Sequence, residues 1–130
     1  MHLLKQPIKV SGTVVSGRGV GLRFPTATLS VQTEKEIPDG VYASGIQIED
    51  DNAIYEGATS VGVATSVGAT ESTIETHIFD YNGDLQGKQI NLELIGYIRE
   101  MQTFETLEEL EHAIEKDIEA AKLLLKEANF

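Results

Sequence analysis

Cysteine is absent from the 130 residues, which excludes disulfide staples and thiolate metal sites. No apolar run approaches the roughly 20 residues that a membrane-spanning helix needs. The opening stretch MHLLKQPIKV lacks the apolar core of a secretory leader, so a cytoplasmic protein is expected, with no membrane partner. The three histidines, His2, His77 and His112, are scattered, and no two have metal-site spacing. Neither a Walker-type GxxxxGK nor a GxSxG elbow occurs. Basic residues are scarce: ten Lys and Arg stand against 21 Asp and Glu, for a formal net charge of −11. Backbone phosphate binding draws on clustered cations, so no nucleic acid partner is expected.

What is present suits one globular domain over residues 1–130. Hydrophobic residues make up 41% of the chain, enough to bury a core. The charge is uneven. Residues 1–33 contain Lys5, Lys9, Arg18 and Arg23 and no acid, which leaves −15 on residues 34–130. An anionic ligand is tolerated on that first part and repelled elsewhere.

Period-two apolar alternation predicts strands at 7–15, 40–48, 53–64, 72–80 and 88–99. The stretches 40–48 and 53–64 flank the polar turn EDDN and read as a hairpin. Asn82-Gly83, between 72–80 and 88–99, is a second hairpin signal. Glycines 45, 57, 62, 68 and 96 suggest bulges or tight bends. The connection 30–39 is a candidate lid. The period then changes. Thr106 and Glu109 fit a capping box. Leu107, Leu110, Ile114, Ile118, Ala121 and Leu125 mark one face of a helix that packs on the strands. About six strands over residues 7–100 and a helix over 106–128 are expected.

Two stretches carry candidate chemistry. In GRGVGLRFPTATL, Gly17, Gly19 and Gly21 either provide turn flexibility or let backbone amides curl around an anion. Thr26 and Thr28, two apart, would face the same way in a strand and present two hydroxyl oxygens, ligands that hard cations such as Mg²⁺ accept. In TIETHIFDYNGDLQG, Glu75 and His77 share one strand face. Glu75 is either a solvated strand residue or a base for a hydroxyl.

The order FPTA, GVYA, YEGATSVG, IETHIFDYNGDLQGK and IREMQTFETLEELEHAIEKDIEAAK resembles the riboflavin kinase domain over residues 10–122. That domain occurs alone or as the C-terminal half of a bifunctional riboflavin kinase/FAD synthetase. The resemblance implies a closed six-stranded antiparallel Greek-key barrel with a C-terminal α-helix. It implies transfer of the ATP γ-phosphate to the riboflavin 5′-hydroxyl, giving FMN and ADP. By the same resemblance, Glu75 is the catalytic base. Gly17, Arg18, Gly19, Gly21, Arg23, Pro25, Thr26 and Gln86 lie on the nucleotide side. Thr26 and Thr28 hold Mg²⁺, and Arg99, Gln102 and Phe104 lie on the flavin side.

The sequence departs from the family on the nucleotide side. Thr28 stands where the family has Asn, Arg23 where it has Gly, and Gln86 where it has Tyr. The loop before Phe24 is about two residues shorter. Ala64-Thr65-Ser66-Val67 has lost a proline. The alternative function is therefore a flavin-binding or regulatory domain with weakened or lost transfer. A monomer is expected, natural or excised from a larger bifunctional chain.

Overall fold

Alternating apolar side chains drive most of the chain into six strands: β1 (His2–Arg18), β2 (Thr26–Val31), β3 (Gly40–Ile48), β4 (Ile54–Val63), β5 (Ser72–Ile78) and β6 (Gln89–Arg99). One helix, α1 (Leu107–Glu127), follows. The computed structural model describes residues 1–18, 24–31, 36–63, 72–81 and 83–130, with backbone alone at 16–18. Gly19, Gly21, Arg23, the middle of the 30–39 connection, Ala64–Val67, Gly68 and Asn82 lie outside the described residues.

The strands form an antiparallel ring in the order β1-β2-β5-β4-β3-β6, with β1 paired to both β2 and β6. Side chains alternate between the inside and the outside of this ring. Val14, Leu29, Ile46, Ile78, Ile90 and Leu94 fill the inside. Three hydroxyls join them there. Ser44 Oγ lies 2.7 Å from Thr59 Oγ1, which donates to Thr76 Oγ1 at 2.9 Å. All three residues are at most 1% exposed, so each depends on the others for its hydrogen bonds.

The outside is covered by α1. Ala121, Leu124 and Leu125 pack with Ala43, Phe79 and Ile95. Each fully buried leucine contributes roughly 1.5–3 kcal/mol of transfer free energy. Gly96 makes the contact possible, because a Cβ there would sit 2.8 Å from Leu124 Cδ1. This glycine serves close packing and also lies at a register irregularity of β6, where Ala43 pairs with Gly96 and Ser44 with Leu94. The helix begins as expected: Thr106 Oγ1 accepts from the Glu109 amide at 3.1 Å. Glu109 reaches back to the amide of Glu105 instead of Thr106. The buried stripe is shifted, however. Leu107, expected on it, is half exposed, and Leu124 and Asp117 are buried instead. Only the C-terminal half of α1 presses its apolar side tightly onto the strands.

The β3–β4 hairpin forms as expected. At its tip Asp51 accepts from the Ala53 amide at 2.9 Å and from the Tyr55 hydroxyl at 2.8 Å. These two donors hold the Asp51 carboxyl below its ordinary range, and the same bond pushes the Tyr55 hydroxyl up. The second hairpin does not form. β5 pairs with β2 and β4, and β6 with β1 and β3. Both edges of β5 are already taken, so the chain reverses near Gly83 and crosses to the other side of the ring. β1 is longer than the expected 7–15. Its first residues pair with the far end of β6, and the register slips between Leu3 and Ile8, around Pro7, which has no N–H to offer a ladder. Gly17 and Arg18 continue β1 as partners of Ala27 and Thr26 and are not part of a free loop.

Candidate active site

Ladder register decides which outward side chains meet. Thr28 on β2 is directly opposite Glu75 on β5. Glu75 is opposite Ser60 on β4, Ser60 opposite Val41 on β3, and Val41 opposite Arg99 on β6. One lateral row therefore joins Thr28, Glu75 and Arg99, residues 71 positions apart in the chain at the extremes. At the usual strand spacing, Glu75 and Arg99 are three steps, roughly 14 Å, apart.

Glu75 is 7% exposed and Thr28 8%. Thr28 Oγ1 donates to Glu75 Oε1 at 3.1 Å. A buried carboxylate needs such donors. The sequence suggested a hydroxyl pair on β2; it did not reveal that one of the two touches the glutamate.

At one end of the ring a cavity of about 190 Å³ is lined by Pro25, Thr26, Thr76, Tyr81, Asp84 and Gln86, among others. Three of the residues expected on the nucleotide side, Pro25, Thr26 and Gln86, thus meet here. The segment carrying Gln86 is tied to β1: the Gly87 amide donates to Val14 O at 2.8 Å, and the Val14 amide to Lys88 O at 2.9 Å. Thr76, Tyr81 and Asp84 were not singled out from sequence. Thr76 and Tyr81 carried no chemical motif; β5 and the turn after it bring them to this cavity.

A second cavity, of about 370 Å³, is lined by Arg99, Gln102 and Phe104 together with Glu109, His112, Lys116 and Asp117 of α1. All three residues expected on the flavin side line it. Arg99 engages this wall through three of its five N–H donors. Its Nε and Nη2 donate to the two Asp117 carboxylate oxygens, each at 2.8 Å. Nη1 donates to Glu100 O at 3.0 Å, and the guanidinium lies 5.6 Å from the Phe104 ring centre. The fork matches a carboxylate in a bidentate pair. The helical residues were missed, although the spacing 109, 112, 113, 116, 117 is that of a single helix face.

Together these features give an antiparallel β domain with a buried carboxylate and two concave sites, one of them walled by a helix. The chain belongs to the riboflavin kinase family, whose sequence model matches residues 4–125. It is 32% identical over 126 residues to the bifunctional riboflavin kinase/FMN adenylyltransferase of Pseudomonas fluorescens, covering 95% of this chain and 40% of that protein. A Streptococcus pneumoniae chain described as a macrolide-efflux protein superposes with a TM-score of 0.75 at 30% identity, over 89% of this chain and 38% of that one. The riboflavin kinase of Trypanosoma brucei superposes with a TM-score of 0.72 at 22% identity, over 97% of this chain and 82% of that one; it supports the fold. The chain spans about two fifths of the length of the bifunctional relatives it matches.

Proposed function

We propose that this chain phosphorylates riboflavin at its 5′-hydroxyl from ATP, giving FMN and ADP. The observation that carries this reading is the row Thr28–Glu75–Ser60–Val41–Arg99, which ends at a residue lining the second cavity. The cavity at Arg99, Gln102 and Phe104 takes the flavin ring system. The ring system and its hydroxylated five-carbon chain together extend from there toward Glu75. The cavity at Pro25, Thr26 and Gln86 takes the nucleotide. The domain acts as a single unit over residues 1–130, a closed Greek-key barrel with its helix, and as a cytoplasmic monomer. Among the described residues no helix is long and apolar enough to cross a membrane.

Glu75 is the base. Its carboxylate orients the 5′-hydroxyl and takes its proton as the oxygen bonds to the γ-phosphorus. The bond from that phosphorus to the β–γ bridging oxygen breaks, and ADP leaves. Thr28 keeps the carboxylate aimed through its donated hydrogen bond. Phosphoryl transfer depends mainly on positioning and charge neutralisation.

Among the described residues there is no cluster of three acidic, histidine or cysteine side chains able to cage a metal. The protein's offer is the hard hydroxyl oxygens of Thr26 and Thr28. A donor set this sparse fits Mg²⁺, which is commonly bound through few protein oxygens plus substrate phosphates. When bound, that ion neutralises phosphate charge.

The test is FMN formation from riboflavin, ATP and Mg²⁺, with Glu75→Gln as the control. Riboflavin binding without any turnover by the wild-type chain would contradict this reading and favour a non-transferring flavin-binding domain.

A further inference from the structure

His77 has no part in the reaction just described, yet it holds a defined place. It follows Glu75 by two residues on β5 and so shares its outward face. Its Nδ1 lies 2.7 Å from the carbonyl oxygen of Pro25. A carbonyl only accepts, so Nδ1 carries the proton in this bond. The ring is held on two sides. Phe24 meets it edge-on with centroids 5.7 Å apart, and Phe79 lies tilted at the same distance. Phe79 is anchored in the cluster under α1, with Lys122 5.5 Å over its ring.

Pro25 and Thr26 line the cavity assigned to the nucleotide. Pro25 precedes β2 and lies beyond the last ladder pair between β2 and β5, Ala27 with Thr76. The ladder does not hold it against β5; the imidazole does. A packed ring with a fixed donor at its edge is a suitable clamp, because little side-chain freedom is lost when the bond forms.

We infer that His77 is a positioning residue that clamps the Pro25 carbonyl to β5 and so sets Thr26 for the nucleotide, joining the nucleotide wall to the strand that bears Glu75. The inference rests on the function proposed above. It concerns ground-state binding of the nucleotide and not the chemical step.

Three variants separate the possibilities. His77→Phe keeps a ring between Phe24 and Phe79 but removes the donor. His77→Leu is a second donorless variant of smaller size. His77→Asn puts an amide N–H close to where Nδ1 stands. Steady-state kinetics with riboflavin, ATP and Mg²⁺ should give a KM for Mg·ATP raised about tenfold in the donorless variants, the effect of one lost hydrogen bond. Their kcat and KM for riboflavin should stay near wild type, and His77→Asn should recover much of the loss. Peptide-level amide exchange over residues 24–28 supplies a readout that needs no turnover: faster in His77→Phe and His77→Leu, near wild type in His77→Asn. Unchanged Mg·ATP KM, a fall confined to kcat, or equal impairment in His77→Asn would overturn the clamp. If the wild-type chain makes no FMN, the proposed function fails, and the exchange pattern still decides whether His77 holds Pro25.

Discussion

Thr28 and Glu75 are ladder partners on β2 and β5, and the threonine hydroxyl donates to the glutamate carboxylate at 3.1 Å with both residues buried. Thr28 is thereby given a physical role, that of a donor to Glu75. A threonine oxygen that donates its proton to Glu75 keeps its lone pairs, so one small side chain is able to serve both carboxylate and cation. Thr28→Val preserves shape and removes the donor. Its kcat should fall about tenfold, the rate equivalent of one hydrogen bond of roughly 1.4 kcal/mol. Thr28→Ser should remain near wild type. Rates at saturating riboflavin and Mg·ATP check both.

Glu75→Gln keeps the volume and loses the proposed base. Turnover should drop by about 10²–10⁴, the usual contribution of a positioned proton acceptor. Riboflavin binding, followed by quenching of its fluorescence, should be little changed, because the flavin-side cavity is walled by Arg99, Gln102, Phe104 and α1 and does not include Glu75.

The Arg99–Asp117 pair joins the end of β6 to α1 with two bonds of 2.8 Å. Asp117 is 7% exposed at its side chain and Arg99 23%. Asp117→Ala leaves the guanidinium half-desolvated without its partner. The expected loss is about 3 kcal/mol, the low end for breaking a buried pair, since Arg99 retains some water. Denaturant unfolding measures it. The same variant should weaken riboflavin binding, because Arg99 and Asp117 both line the cavity.

Inside the ring, Thr59 Oγ1 serves both Ser44 and Thr76. Thr59→Val alone strands two buried hydroxyls and should cost about 1–3 kcal/mol. The triple change Ser44→Ala, Thr59→Val, Thr76→Val removes every member and should be less destabilising than the sum of its parts. A set of unfolding curves reveals that non-additivity.

Asp51 at the β3–β4 tip is held below its ordinary pKa of 3.8 by the Ala53 amide first and the Tyr55 hydroxyl second. A carboxyl depressed in the folded state stabilises the fold above its unfolded pKa. That contribution is lost as pH falls through the lower, folded value. Thermal midpoints of wild type and Asp51→Asn should therefore differ at pH 6, and the difference should shrink progressively as the pH falls below 3.8.

The strand segments, the β3–β4 hairpin and the start of α1 were legible in the sequence, because alternation, a polar turn and a capping threonine are local signals. Glu75, Thr28 and Arg99 were legible as individual residues through the resemblance to a family. Their common row was not. It depends on which strand edges meet, and Asn82-Gly83 pointed to a pairing of β5 with β6 that ring formation excludes. The helical face of Glu109, His112 and Lys116 was readable as spacing, but spacing alone did not say that a cavity lies against it. By itself the sequence determined five of the six strand segments and the helix, together with the residue types available for the proposed phosphoryl transfer, since each is set within a few positions of chain. Only the tertiary structure decided the Thr28–Glu75 bond, the Arg99–Asp117 brace and the His77 clamp on Pro25. Those contacts join residues 47, 18 and 52 positions apart, and long-range ladder register and packing against α1, rather than local preference, bring them together.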